Sequence, residues 1–139
     1  MKNFLPYKES ITMKEIGFDE PCLGAWSNID NKPEFSYNKK PTKYSKMFTK
    51  KSPHCVAPLY QEVFDWFTEQ GLFSYVDRTY TNGKYEYEFH IEGNSGLFGF
   101  ETKKLAEQAC IRSLISILRM DKNYMKKLNR DNKLNELGI

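Results

Sequence analysis

Between Thr79 and Glu92 the chain reads Thr-Tyr-Thr-Asn-Gly-Lys-Tyr-Glu-Tyr-Glu-Phe-His-Ile-Glu, a run that few structures other than a β-hairpin can use. Asn82-Gly83 supplies two residues that accept positive φ, as a two-residue type I′ turn requires. After the turn, Tyr85, Tyr87, Phe89 and Ile91 alternate without fault against Glu86, Glu88, His90 and Glu92. Such alternation predicts a strand with one buried and one solvated face. The short loop sets the register, pairing Tyr80 with Tyr85, Arg78 with Tyr87 and Val76 with Phe89. The carboxylates of Glu86, Glu88 and Glu92 are a candidate acid–base or cation-binding row, but a solvated sheet face accounts for them more simply.

The neighbouring segments give this hairpin something to pack against. Asn94-Ser95-Gly96 makes the next turn, and Leu97 to Glu101 a short third strand. Thr102 is placed to cap a helix through its hydroxyl, and Ala106, Ala109, Cys110, Leu114, Ile117 and Leu118 form its apolar stripe. On the other side a helix opens near Pro58, where a missing amide proton costs nothing, and Leu59, Tyr60, Val63, Phe64 and Phe67 recur at helical spacing up to Gly71. The reading is an α+β protein with an α-β-β-β-α core over residues 57–119 in which both helices and the sheet share one interior. Tyr85, Tyr87, Phe89 and Ile91 are all expected inside it.

Residues 1–38 read as an extension of this core: a short helix from Tyr7 to Ile16 stopped by Gly17, then strands Cys22–Trp26 and Glu34–Tyr37 around Asp30-Asn31-Lys32-Pro33. Residues 39–56 lack periodicity and contain Pro41 and Pro53, the pattern of a linker. Residues 120–139, with only Tyr124, Met125, Leu128, Leu134 and Leu137 for anchoring, read as a basic tail that is either a weak helix or mobile. At 139 residues the chain suits one domain with appendages.

Chemistry-bearing motifs are sparse. Cys55 beside His54, with His90 and Cys22 elsewhere, lacks the paired spacing of a structural zinc site, and no base is placed to activate a thiol. Cys110 lies on an apolar stripe, as a small core residue would. Gly93, Gly96 and Gly99 surround a hairpin turn and do not open a helix in the spacing of a phosphate loop. The expectation is a protein without catalysis, metal or cofactor. Three cysteines, an odd and sparse set, point to a reducing cytoplasm, and no apolar run resembles a signal or membrane-spanning segment.

Charge is the one uneven property. The formal net charge is only +3, yet residues 39–51 hold six lysines and no acid, whereas residues 58–101 are acidic. Lys39, Lys40, Lys43, Lys46, Lys50 and Lys51 are therefore candidate phosphate contacts, with Tyr44 and Phe48 available to stack on unpaired bases. The plain alternative is a well-solvated linker.

The order helix, three strands, helix, ending Gly99-Phe100-Glu101-Thr102-Lys103-Lys104-Leu105-Ala106-Glu107-Gln108-Ala109, resembles the double-stranded-RNA-binding domain. In that family a Lys-Lys-x-Ala-Lys sequence opens the last helix and holds phosphates. The resemblance adds Lys103 and Lys104 to the candidate site, while Glu107 stands where the family has its third basic residue. A second resemblance rests on Gly17-Phe18-Asp19-Glu20-Pro21-Cys22-Leu23, Ala57-Pro58-Leu59-Tyr60-Gln61, Phe64-Asp65-Trp66-Phe67 and Ala106-Glu107-Gln108-Ala109-Cys110. These segments look like a family of small proteins of Bacteroidetes phages and mobile elements. That likeness implies a bacterial host cytoplasm and a binding protein that counters a host defence, with an RNA-guided (CRISPR) nuclease or another ribonucleoprotein as partner; direct binding of structured RNA is the alternative.

Overall fold

A computed structural model describes residues 3–43, 52–94 and 96–136. Among them are four helices and two antiparallel three-stranded sheets: α1 Tyr7–Glu15, β1 Cys22–Ile29, β2 Lys32–Thr42, β3 Cys55–Ala57, α2 Tyr60–Glu69, β4 Ser74–Thr81, β5 Lys84–Ile91, β6 Leu97–Phe100, α3 Lys103–Met120 and α4 Lys122–Glu136. The protein is thus α+β. It divides into a terminal unit, Met1–Leu59 with Ile115–Ile139, and a central unit, Tyr60–Leu114.

In the central unit the strand order is β4-β5-β6. Asn82 and Gly83 both take positive φ, 54° and 81°, and the register pairs Tyr80 with Tyr85, Arg78 with Tyr87 and Val76 with Phe89, as the turn dictates. Phe89 and Ile91 are buried with Val63 and Phe67 of α2 and Ala106, Cys110, Ile111 and Leu114 of α3. Thr102 Oγ1 accepts the amide hydrogen of Leu105 at 3.1 Å, which makes it the cap of α3.

One expectation fails in this strand. Burial along β5 deepens away from the turn, so Tyr87 is only half-buried and Tyr85 is 56% exposed. Alternation sorts side chains by face but does not say how far the covering layer reaches. At the turn end Tyr85 is covered instead by its own hairpin: its ring lies 4.9 Å from that of Tyr80, and the Arg78 guanidinium sits 4.4 Å from its centroid.

In the terminal unit the order is β2-β1-β3. Asp30 and Asn31, at φ 53° and 61°, make a second two-residue turn, so Lys32 and Pro33 belong to β2 rather than to the turn. Strand β2 continues to Thr42, and Cys55–Ala57 pairs with the far edge of β1. Residues 39–42 of β2 and 55–56 of β3 fall inside the segment 39–56 that reads as a linker in the sequence. Lysine and proline are tolerated there because β2 is an edge strand, where an unpaired strand side costs little and discourages aggregation. A Cβ on Gly24 would lie 2.8 Å from the Ala57 carbonyl oxygen and 2.8 Å from Phe4 Cδ1, so glycine is what lets the sheet and the N-terminal segment close together. Phe4, Phe35 and Tyr37 then form a ring cluster with centroids 4.9 to 5.7 Å apart, and Trp26 joins Phe35 at 5.5 Å.

Helices α1 and α4 complete the terminal unit. Helix α1 ends in a Schellman motif: the Phe18 amide donates to the Met13 carbonyl, Gly17 donates to Lys14, and Gly17 has φ 104°. Of the tail, Lys122–Glu136 is helical, the first of the two forms expected of it. Asp121 Oδ1 accepts the Tyr124 amide hydrogen at 3.0 Å and so caps α4, while the Tyr124 hydroxyl donates to the Ile16 carbonyl at 2.5 Å. Leu128 lies over Gly17, where an added Cβ would meet Leu128 Cδ1 at 2.9 Å. Lys14 is buried on the other flank of α1 and donates to the Ser52 and His54 carbonyls at 2.6 and 2.9 Å, which delivers β3 to the sheet.

Candidate nucleic-acid interface

The two units differ in charge far more than the chain total suggests. The terminal unit carries sixteen Lys and Arg against nine Asp and Glu, a net +7, and the central unit five against nine, a net −4, which together give +3. A polyanion would be drawn to the first and repelled by the second.

Within the terminal unit, Lys39 and Lys40 are exposed near the end of β2, and Lys43 is exposed just past it. None of the three makes an ion pair among the described residues. Tyr37, two residues before Lys39, is 66% exposed and held edge-on by Phe35 at 4.9 Å. An exposed ring fixed by a second ring, followed by free ammonium groups along an edge strand, offers stacking surface and phosphate donors in sequence. Lys46, Lys50 and Lys51, with Tyr44 and Phe48, lie outside the described residues.

Lys103 and Lys104 belong to the central unit and are placed differently. They occupy the first turn of α3, where the helix dipole disfavours cations and favours an anionic ligand. Lys104 Nζ stands 5.9 Å from the Tyr60 ring centroid, and the Tyr60 hydroxyl accepts a hydrogen bond from Gln108 Nε2 at 3.0 Å. Glu107 lies beside both lysines; burial pushes its carboxyl above the usual range and the two ammonium groups pull it back. These lysines therefore serve local charges before any ligand arrives.

The remaining candidates resolve into structure. Cys22, Cys55 and Cys110 are buried free thiols. Burial pushes Cys55 up to about 12, against the opposing pull of Lys14, and Cys110 up to about 11, so both stay protonated at neutral pH. His54 Nδ1 accepts the Asn28 amide hydrogen at 3.1 Å. Glu86 and Glu88 sit on the solvated sheet face, 3.7 Å from Lys84 and 3.5 Å from His90, and His90 stacks on Tyr75 at 4.9 Å.

A further set of cations escaped the sequence reading, which took the tail as merely basic. On α4, Lys122, Lys126, Lys127, Arg130 and Lys133 are all exposed. The signal that finds them is spacing: Tyr124 and Leu128, four apart, anchor one side, and Lys122, Lys126 and Arg130, also four apart, fall on another.

The fold and this surface describe a small α+β protein with a cationic unit and buried thiols. No family model, characterised protein or solved structure matches the chain, so its function has to be argued from its own residues. None of its described helices is long and apolar enough to cross a membrane.

Proposed function

We propose that the protein is a non-enzymatic binding protein whose cationic terminal unit engages RNA within a ribonucleoprotein. The observation that carries this reading is the set of exposed lysines at the end of an edge strand, Lys39 and Lys40 on it and Lys43 just past it, without ion pairs among the described residues and next to the exposed Tyr37. Surface charge that only confers solubility is usually interspersed with the opposite sign, and here six lysines run without an acid. Taken with the resemblance to small phage and mobile-element proteins, the target that fits is a host defence complex that carries its own RNA, an RNA-guided nuclease being the case to test first. The likeness of the helix-three-strand-helix order to double-stranded-RNA-binding domains supports the second reading, direct binding of structured RNA by the free protein.

Reversing Lys39, Lys40, Lys43, Lys46, Lys50 and Lys51 to glutamate is expected to abolish binding while the far-ultraviolet spectrum and melting stay near the parent's, because Lys39, Lys40 and Lys43 are exposed and outside the core. Capture from host lysate, with and without nuclease treatment, separates the two readings: a partner protein whose capture is lost when RNA is digested supports the first, and RNA captured without a partner protein supports the second. Loss of capture on reversing Glu62, Asp65 and Glu69 of α2, with no effect from the lysines, would mean that the partner presents a basic protein surface, and the RNA-facing reading would be abandoned.

A further inference from the structure

From its cations and its docking we infer that α4 is a second phosphate-binding element, one that lies along the backbone of a nucleic-acid duplex. The inference deepens the reading above and rests on it for the class of ligand, but it concerns residues outside both the lysine-rich stretch and the helix-three-strand-helix segment. At 3.6 residues per turn, Lys122, Lys126, Arg130 and Lys133 fall within an arc of about 80° and run along about 16 Å of helix. All four are exposed, and among the described residues none has an ion-pair partner. Asp121 is engaged in capping Tyr124, and Asp131 lies roughly opposite the arc at about 100° per residue.

The helix itself gains nothing from this arrangement. Like charges four apart repel, and Lys122 stands at the dipole's positive end, where the acid that complements the dipole is the capping Asp121. A solubilising surface would not need the cations in one line. A row of them, spaced about 4.5 to 6 Å along the axis, is what a ligand with regularly spaced phosphates would use.

Two observations choose the duplex over other polyanions. A helix that binds an anionic membrane inserts an apolar face into the acyl boundary. The apolar side of α4 is already occupied, with the Tyr124 hydroxyl on the Ile16 carbonyl and Leu128 against Gly17. A surface for unpaired strands needs rings on which bases stack. The aromatic residue of α4, Tyr124, is half-buried and committed to Ile16, and the cationic arc is flanked by Asn123 and Asn129, whose amides suit phosphate and sugar oxygens. Contacts of this kind read the backbone and not the sequence, and RNA and DNA duplexes both supply it.

The test uses the full chain, a short RNA duplex, the DNA duplex of the same sequence and phosphatidylserine–phosphatidylcholine vesicles, across a salt series. K122E/K126E/R130E/K133E is expected to lower duplex affinity by about tenfold or more and to reduce the slope of log affinity against log salt by about 3 to 4. K122Q/K126Q/R130Q/K133Q, which keeps helix propensity, is expected to do the same to a smaller extent and covers the case in which charge reversal unfolds the tail. RNA loss without DNA loss, or both together, supports the inference and names the source of the phosphates. Unchanged affinity and slope in both sets, with losses in K39E/K40E/K43E, would overturn the α4 inference and leave the proposed function standing. Vesicle capture that depends on α4, without duplex binding, would overturn it in favour of a membrane. If the parent chain binds no duplex while it still captures a ribonucleoprotein through its RNA, the inference falls and the first reading survives; if it does neither, both fall.

Discussion

The terminal and central units each build a three-stranded antiparallel sheet closed by a two-residue turn with positive φ at both positions, yet one unit carries a net +7 and the other a net −4. Similar sheet-building rules thus coexist with opposite electrostatics. Their apolar parts follow what packing demands: rings around Phe35 in one, the buried Phe89 and Ile91 in the other. Apart from the buried ammonium of Lys14, neither rests on charge. Its segregation is therefore a statement about what each unit meets in solution, and it is the strongest functional signal in the molecule.

The comparison can be attacked first at the core of the central unit. Phe89→Ala is expected to cost about 3 to 5 kcal/mol in urea denaturation, whereas Glu88→Ala, one residue away on the solvated face and directly across from Asp77, is expected to shift stability by less than about 0.5 kcal/mol. Equal costs would mean that charge on this sheet is structural after all.

A matched pair of glycines gives the next effect. Gly17 and Gly71 both end helices with φ near 100°, at 104° and 89°, and in both motifs the following residue donates to the carbonyl five back. They differ in surroundings: Gly71 has nothing within 4 Å of an added Cβ, while Gly17 has Leu128 and Tyr124. Gly71→Ala should cost about 1 kcal/mol through backbone strain alone, and Gly17→Ala about 2 to 3 kcal/mol with faster amide exchange throughout α4. If the two cost the same, α4 is not docked as described.

A smaller effect concerns Glu107. Burial raises its pKa above the ordinary 4.5, so its contribution to stability is fully present below that value and is lost as pH rises through the raised one. Glu107→Gln should therefore melt above the parent at pH 7, with the difference closing as the pH falls toward about 4. A constant difference would assign the effect to something other than ionisation. The smallest expected signal is from the thiols: Cys55 and Cys110, held protonated and buried, should resist alkylation at neutral pH until denaturant is added.

What could be read from the amino acids depended on whether the determinant was local. Asn82-Gly83 and Thr102 act within four residues of themselves, so the hairpin register and the start of α3 follow directly from the sequence. Strand β3 could not be seen, because Cys55–Ala57 is too short to show alternation and its pairing partner lies thirty residues earlier in β1. The extension of β2 through Lys39 and Lys40 was hidden because an exposed edge strand and a polar loop share a composition. Tyr85 was misplaced because reach of the helical layer is a tertiary property. The candidate site divides in the same way. Its lysines were visible as a run, but only the fold assigns Lys39, Lys40 and Lys43 to one unit and Lys103 and Lys104 to the other, and only the docking of Tyr124 and Leu128 reveals which face of α4 is left to its cations.

The clasp of α4 on Gly17 has a consequence for how the protein is made. On the ribosome the central unit is a continuous stretch, Tyr60–Leu114, and can close as soon as its last helix has emerged. The terminal unit is written in two pieces, and the partners of Ile16 and Gly17 are Tyr124 and Leu128, more than a hundred residues later. During synthesis the Gly17 end of α1 must wait for α4, while Lys39 and Lys40 are already exposed beside a translation machine built largely of RNA. Closure of so long a loop is slow to reward the chain. Helix α4 completes the cationic unit, so nascent chains that stall before it would carry the lysines of β2 without the clasp.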